Sequence, residues 1–400
     1  MSLFLRVVTL EEAVRVILGI APHPVEEEVP LEKALHRVLA RDVNAAENIP
    51  GFARTTVDGY GVQAVDTVGS GEAVPAILRL AGEVSMGTEP GRPLERGEGI
   101  YLPTGAMLPS GADAAVMIEH TERIGDEILV KRPVAPGENI IFAGEDFPKG
   151  AVILPKGTHL SPRDIGILAA AGYDRIGVYR KPIVGIISTG NELVPVNATP
   201  GPGEVRDANG PMCAAFVEEA GCSPRPYGIV RDDRGALGGA LDRAIGDCDA
   251  ILLSGGSSKD LRDLAASVIA EKGEVFVHGI GIAPGKPTII GQAGGRPVIG
   301  LPGHPASAYV ILHTLAGPLL SAMSGAPRPE RRVSVVLAEN IPSQKGRVEF
   351  VRVRIESGRA IPCFGKSGLL NTFAESDGLI QVPAESEGLE AGETVEVILW

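Results

Sequence analysis

Five apolar runs constrain this chain more than any other feature: KPIVGIIS (181–188), PRPYGIV (224–230), DAILLS (249–254), EVFVHGI (274–280) and RPVIGL (296–301). None alternates apolar with polar residues, so each reads as a strand buried on both faces. Helical periods fill the gaps at 209–220, 234–247, 260–272 and 304–323. Strand and helix in turn, at this spacing, point to a doubly wound, mainly parallel sheet with right-handed crossovers. Ligands of such sheets bind outside the carboxyl ends of the strands. The segments there are Ser188-Thr189-Gly190-Asn191-Glu192, Arg231-Asp232-Asp233, Ser254-Gly255-Gly256-Ser257-Ser258, Ala283-Pro284-Gly285-Lys286-Pro287 and Leu301-Pro302-Gly303-His304-Pro305. Each alone is an ordinary turn. Five on one edge make a binding site the better reading.

The residue types on that edge suit an anion. Gly255 and Gly256 let backbone N–H groups approach it, and Ser257 and Ser258 add hydroxyl donors. The helix that follows contributes partial positive charge. Ser188, Thr189 and Gly190 end the first strand. Pro302 and Gly303, ahead of the helix at 304–323, offer a second anion seat. Lys286, after Pro284 and Gly285, supplies a point charge. Glu192, Asp232 and Asp263 are acids beside this seat. Such a mixture is consistent with Mg²⁺ bridging carboxylates, foremost Glu192 and Asp232, to phosphate. The competing reading of Asp232-Asp233 is a turn or a cap on the next helix.

Outside 181–328 the text changes. TLEEAVRVILGI (9–20) carries a capping box, Thr9 with Glu12, on a helical period. PLEKALHRVLA (30–40) reads as a second short helix with Pro30 in its first turn. SPRDIGILAAAG (161–172) reads as a third, with Ser161 as cap and Gly172 as stop. From about 50 to 150, short Val/Ile runs broken by Gly-Pro turns predict a small β domain. This places the β domain (50–146) between the halves of a helical region (1–49 and 147–180), whose third helix packs on the first two. The α/β domain follows at 181–328. VSVVLA, RVEFVRVRIE, GLIQV and TVEVILW predict a C-terminal β domain at 329–400. Thr56-Val57-Asp58-Gly59-Tyr60 and Pro103-Thr104-Gly105-Ala106 stand out in the β domain, although each alone could be a turn.

Composition removes several classes of function. Hydrophobic residues make up 44%, enough for a proper core in each domain. The net charge of −13 argues against a general nucleic-acid or anionic-membrane binder. Glycine (52) and proline (32) are abundant without a fixed period, which means many tight turns. Cys213, Cys222, Cys248 and Cys363 lack metal spacing and are too sparse for a disulfide scaffold, so they read as small core residues. The histidines, at 23, 36, 120, 159, 278, 304 and 313, do not cluster as zinc ligands. No Walker A loop, GxGxxG fingerprint or GxSxG elbow is present. The N-terminus lacks a signal-peptide pattern and no run approaches 18 uncharged apolar residues, so a cytoplasmic protein is expected.

TTVDGYGV, PTGAMLPSGADAAVMIEHTE, GEDFPKGAVILPKGTHLSP, IISTGNELV, IVRDD, LSGGSS, PGKP, GLPGHPASA and FGKSGLLNTFAESDGLIQVP follow one another in this chain. In that order they resemble the molybdopterin molybdenumtransferase (MoeA) family, which includes the gephyrin E domain. Each motif is modest; their shared order over nearly the whole chain is specific. The resemblance implies a MogA-like molybdopterin-binding α/β domain, an inserted β domain, an N-terminal helical region and a C-terminal β-barrel-like domain. It implies a transferase that takes adenylylated molybdopterin and molybdate, releases AMP and leaves molybdenum on the dithiolene, with Mg²⁺ involved. It also implies a homodimer whose site is completed across the subunits. Molybdopterin adenylyltransferase and molybdoenzyme-maturation proteins are the partners it suggests. Matched by motif, the site residues are Asp58 of DGY, Thr104 of TGA, Asp146 of GED, Glu192 of TGxEL, Asp232 of RDD and Lys286 of PGKP. Asp263 matches the acid after the glycine-serine loop, with Asp260 as a competing alignment.

The chain departs from the family pattern at three places. Ala283 stands where a basic residue is usual, Ser257-Ser258-Lys259-Asp260 replaces a glycine-containing stretch, and His304 stands where asparagine is common. These positions bear on oxyanion affinity. They leave as alternatives a tungstate-preferring paralogue and a non-catalytic molybdopterin carrier or scaffold; the α/β domain also resembles ATP-using relatives that adenylylate molybdopterin, a reading the whole-chain match argues against.

Overall fold

The structure is a computed structural model that describes residues 7–255, 259–326 and 331–400, without the side chains of 259–262. Gly256, Ser257 and Ser258 therefore lie outside the described residues, as does the carboxyl group of Asp260. The chain forms two compact units. One comprises the residues up to Val29, His36–Ala40 and Gly177–Trp400; the other comprises Pro30–Leu35 and Arg41–Ile176.

Helix α1 (Leu10–Gly19) starts where the capping box places it: Glu12 N–H donates to Thr9 Oγ1 (3.1 Å) and Thr9 N–H to Glu12 Oε2 (3.0 Å). Ala13 and Ile17 are fully buried in the core of the α/β domain, against the last helix of that domain. The expected second helix at 30–40 is absent. A single 3₁₀ turn at Leu31–Lys33 ends before His36, which takes a left-handed φ of 60°. Beyond it, Ala40 N–H donates to Gly177 O and Tyr179 N–H to Val38 O. Strand-like pairing thus takes the backbone groups that a helix needs, and tertiary context overrides local propensity.

In the second unit, strands β1 (Gly59–Val62), β2 (Ala76–Glu83), β3 (Glu98–Leu102), β4 (Ala114–Met117), β5 (Thr121–Ile124) and β6 (Glu127–Val130) form one sheet in the order β4-β1-β3-β2-β6-β5. This is the expected small β domain, cored by Val62, Ala114, Val116, Ile128 and Val130. Glu98 is only 1% exposed, yet charged: Arg92 donates to both its oxygens (2.7 and 2.9 Å) and Arg79 pairs with it. The Arg92 hydrogen bonds outweigh burial and hold its carboxyl at about 2. Helix α2 (Pro162–Ala170) follows. Ser161 is its N-cap, in a capping box with Asp164, and its N–H and hydroxyl both donate to Asp164 Oδ2 (2.9 and 2.6 Å).

The α/β domain runs β7 (Ile183–Thr189), α3 (Asn209–Glu219), β8 (Ser223–Val230), α4 (Arg234–Asp247), β9 (Ala250–Gly255), α5 (Lys259–Lys272), β10 (Gly273–His278), β11 (Ile289–Ala293), β12 (Arg296–Leu301), α6 (Pro305–Ile311) and α7 (Gly317–Ser324). The sheet order is β8-β7-β9-β12-β11-β10. β8, β7, β9 and β12 are parallel; β11 is antiparallel to both its neighbours. β7, β9 and β12 are covered on both faces, which explains their runs without alternation; β8 and β10, expected to be buried on both faces too, are the edge strands and stay partly exposed. Val184, Ile186, Ala250, Leu252 and Ile299 pack toward α1, α3, α6 and α7. Ile187, Ile251, Leu253, Ile289 and Val298 pack toward α4 and α5. Each fully buried Ile or Leu contributes roughly 1.5–3 kcal/mol.

The sequence pattern missed β11. It forms a hairpin with β12 through the two-residue Gly294-Gly295 turn, whose GG signal lay in the text. The binding edge survives because β11 is the one reversed strand of the sheet, so β10, at its far side, still runs in the same direction as β7, β9 and β12. The 304–323 helix is present but widened into a π turn at Leu312–Ala316, just ahead of Pro318. The proline has no N–H to donate and crowds the preceding turn. As one stretch, Pro305–Ser324 is long and apolar enough to cross a membrane, contrary to the sequence reading, but 67% of its apolar window is buried in the protein.

β13 (Arg332–Leu337), β14 (Val348–Glu356), β15 (Arg359–Pro362), β16 (Gly378–Val382) and β17 (Thr394–Leu399) pair in the cycle β14-β15-β13-β17-β16-β14. This closes the C-terminal domain into a barrel around Leu337, Val353, Ala360, Val382 and Val397. Cys213, Cys222 and Cys248 are buried thiols; Cys363 is half-buried.

Candidate active site

The carboxyl edge of the α/β sheet is laced together by its own polar residues. In register, Thr189 of β7 lies between Val230 of β8 and Gly255 of β9. Thr189 Oγ1 donates to Asp232 Oδ1 (2.7 Å), and Asn191 N–H donates to Asp232 Oδ2 (2.9 Å). Asp232 N–H returns a bond to Asn191 Oδ1 (3.3 Å). The cap on α4 is Asp233, which accepts from Ala236 N–H (2.8 Å). Of the two adjacent acids, Asp233 is thus the helix cap, and Asp232 is turned to the end of β7. Gly255 has φ +150°, and a Cβ there would stand 2.2 Å from Thr189 O. Only glycine lets β9 end this close to β7.

Glu192 is half-buried two residues beyond Gly190; a Cβ on Gly190 would lie 2.9 Å from Glu192 Oε2. The carboxylate therefore folds back over the end of β7. Ser188 is buried beneath, and its Oγ and Asp207 Oδ2 face Gly210 at the start of α3 (2.9 and 2.5 Å from where a Cβ would stand). Asp207 Oδ1 accepts from Gly210 N–H (2.9 Å). Asn209 Nδ2 donates to Gly303 O (2.9 Å), tying α3 to the Pro302-Gly303 turn. Asp207 and Asn209 were missed in the sequence, although Asp-x-Asn-Gly before a helix is a turn signal.

Lys286 is exposed on a tight turn after β10. Ile280 N–H donates to Lys286 O (2.9 Å) and Thr288 Oγ1 to Gly285 O (2.7 Å). Gly285 has φ +126°, and a Cβ on it would meet Ile311 at 2.7 Å. The segment Ile282–Ala283 pairs in parallel with Val348–Glu349 of the barrel. Beside this seam lies a pocket of about 240 Å³, lined by Pro284, Glu349, Phe350, Arg352, Ser367 and Trp400 among others. Arg352 Nη2 donates to Gly365 O (2.9 Å), while its buried Nη1 has no partner. Burial draws its pKa below the ordinary value. Arg352 thus brings a guanidinium, and Glu349 a carboxylate, to the lining of this pocket. Nothing in FGKSGLLNTF singles out Ser367 in the sequence, and Arg352 is hidden inside a strand. Asp263, on α5, is exposed, and no described contact ties it to Asp232 or Glu192.

The other unit holds a second constellation. Asp58 Oδ1 accepts from both Thr104 N–H (2.7 Å) and Thr104 Oγ1 (3.0 Å). Both residues are exposed. Asp146 is exposed too, with its N–H on Ile49 O (3.1 Å). Gly144 N–H on Pro50 O and Thr56 N–H on Asn139 O hold its segment to the one that carries Asp58.

Family comparisons match this arrangement along its length. Residues 8–172 match the MoeA N-terminal region (domain I and II), 185–322 the family described as "Probable molybdopterin binding domain", and 334–400 the MoeA C-terminal region (domain IV). The chain belongs to the MoeA family. Molybdopterin molybdenumtransferase of Bacillus subtilis is 31% identical over 98% of this chain and 94% of its own. A solved molybdopterin biosynthesis MoeA protein of Pyrococcus horikoshii superposes with a TM-score of 0.89 at 40% identity, covering 98% of this chain and 99% of that one. A second from the same organism gives 0.85 at 35% identity, covering 99% and 100%. The MoeA domains account for both β regions and the α/β domain, which leaves no domain of this chain outside the family.

Among the described residues no group of three or more His, Cys, Asp or Glu is arranged to hold a metal ion. The donor set at the α/β edge still suits a hard cation bound partly by substrate. Mg²⁺ typically takes one or two carboxylates, and phosphates and water complete its shell. Glu192 and Asp232 are the two carboxylates that fit.

Proposed function

We propose that this chain is a molybdopterin molybdenumtransferase that uses adenylylated molybdopterin and molybdate and releases AMP. The observation that carries this reading is the Thr189–Asp232–Asn191 clasp at the end of β7, beside Gly255. It presents a fixed carboxylate where a doubly wound sheet binds its ligand. Membership in the family, and the activity named for the Bacillus subtilis relative, support it.

In this reading Gly190, Gly255 and the Pro302-Gly303 turn admit the phosphates close to the backbone. Lys286 offsets their charge. Glu192 and Asp232 would hold Mg²⁺, which neutralises charge on the phosphoanhydride as it opens. Thr189 and Asn191 fix the Asp232 carboxylate before substrate arrives, so little reorganisation is left for the reaction. The pocket with Arg352 and Ser367 takes the oxyanion. Asp58 with Thr104, and Asp146, act on the same reaction from the other unit's constellation. A homodimer is part of the proposal, and sedimentation at micromolar concentration reads it out.

The test is AMP release from adenylylated molybdopterin with Mg²⁺, in the presence of molybdate, tungstate or neither. Oxyanion-dependent release is expected, and Glu192→Gln is expected to lose it. Tight binding without release under every condition would replace the enzyme with a carrier.

A further inference from the structure

His304 sits at the N-cap position of α6 but does not cap it: no side-chain bond reaches the helix, although Ala308 N–H donates to the His304 carbonyl (2.9 Å). The ring is turned the other way, toward the barrel domain. His304 Nδ1 lies 2.9 Å from Ser367 Oγ. Ser367 is a central residue of a tight turn closed by Leu369 N–H on Lys366 O (3.0 Å), and it lines the pocket to which Arg352 also contributes. The next residue leaves the ring room: a Cβ on Gly368 would stand 3.8 Å from His304 Nε2.

One hydrogen lies between Nδ1 and Oγ, and its owner decides what the pocket offers. If the serine donates to the ring, its lone pairs face the pocket and repel an anion. If the ring donates to the serine, the hydroxyl hydrogen is free to point inward. An oxyanion only accepts, so its presence requires the second arrangement. We propose that His304 is a positioning residue, which donates from Nδ1 to Ser367 Oγ and so turns the Ser367 hydroxyl into a donor for the oxyanion. Its effect runs through Ser367, because His304 does not itself line the pocket. The inference rests on the reading above that this pocket takes the oxyanion. It also accounts for a chain that has Ala283 where a basic residue is usual: a correctly aimed hydroxyl supplies part of what the missing charge would.

The experiment is molybdate binding to the full chain by calorimetry, with steady-state AMP release alongside. Ser367→Ala and His304→Leu are each expected to weaken molybdate about tenfold, the scale of one hydrogen bond to a charged group. The double variant is expected to be no weaker than Ser367→Ala alone, since the two act as a unit. His304→Asn, whose amide N–H₂ also donates, is expected to rescue affinity to within about threefold. KM for molybdate should carry the loss, with kcat and melting temperature unchanged; Gly368→Ala, beside the ring, should change nothing. His304→Leu binding like the parent overturns the inference, as do losses that add in the double variant. Arg352→Lys separates the two levels. If it weakens molybdate while His304→Leu does not, the pocket reading stands and the role of His304 falls. If the unaltered protein binds no molybdate, both fall.

Discussion

The two compact units each hold an aspartate bound by a threonine, and the two pairs are built differently. In the α/β domain, Thr189 is 5% exposed and Asp232 has both oxygens engaged, one by a hydroxyl and one by a backbone N–H. In the β domain, Asp58 and Thr104 are exposed, and both bonds converge on Oδ1. The first pair is part of the fold: removing it strands a buried hydroxyl and a backbone donor. The second stabilises little, since an exposed pair of this kind competes with water. An exposed aspartate steered by two donors onto one oxygen keeps the other oxygen for something else. The same residue types are thus tied into the buried end of a strand in one unit and left exposed in the other.

The sharpest way to break this comparison is to neutralise each acid in turn. Asp232→Asn keeps one acceptor but presents an amide N–H₂ to a donor already in place. AMP release is expected to fall by roughly 10²–10³, the scale of losing one preorganised electrostatic group, and the melting temperature should fall with it. Asp58→Asn is expected to reduce AMP release by about 10–10² while leaving stability within about 0.5 kcal/mol. Parallel assays of turnover and thermal melting on the two variants check this. Equal losses of stability would show that the two pairs do not differ as described.

Glu98 supplies the opposite extreme, an acid with a structural role and no place in either constellation. Glu98→Gln is expected to cost about 1–3 kcal/mol of stability at neutral pH with turnover unchanged. The pH dependence has a definite sign. The Glu98 carboxyl is held at about 2, below its ordinary 4.5. Its contribution is therefore complete above about 4.5 and is lost as pH falls through 2. Chemical denaturation of both proteins between pH 2.5 and 6 should show their stabilities converging toward the acid end.

Much of this was legible in the text because the physics involved is local or periodic. Strands buried on both faces must be apolar throughout, so β7, β9 and β12 announced themselves; β8 and β10 were found by the same apolar pattern although they are partly exposed edge strands. The capping box at Thr9 and the helix boundaries at 234 and 247 depend on neighbours in sequence, and they hold in the structure. What failed depends on distant partners. PLEKALHRVLA has helical periodicity, but Val38 and Ala40 pair with the segment around Gly177 and Tyr179. Helix α1 has an amphipathic stripe, but no local signal says which core it will join. At the site, glycine and proline turns marked the strand ends, whereas Arg352 sits in an alternating strand and matters only because β14 meets the Ala283 segment. Ser367 likewise becomes informative once His304 is seen beside it.

The smallest expected effect tests the structural half of the comparison most directly. Thr104→Val deletes the 3.0 Å hydroxyl bond to Asp58 Oδ1 but leaves the 2.7 Å backbone N–H on the same oxygen. Asp58 should therefore keep its place, with AMP release reduced less than about threefold and stability unchanged. Thr189→Val removes, among the described residues, the one donor to Asp232 Oδ1, and it does so at a buried threonine. It should cost about 1 kcal/mol of stability and a larger share of activity. The ratio of the two activity losses is the informative quantity. A ratio near one would mean that the backbone bond at Asp58 does not position the carboxylate, and that the exposed threonine hydroxyl contacts substrate itself. A large ratio would mean that Asp58 is aimed by its backbone partner, and that burial makes Thr189 indispensable.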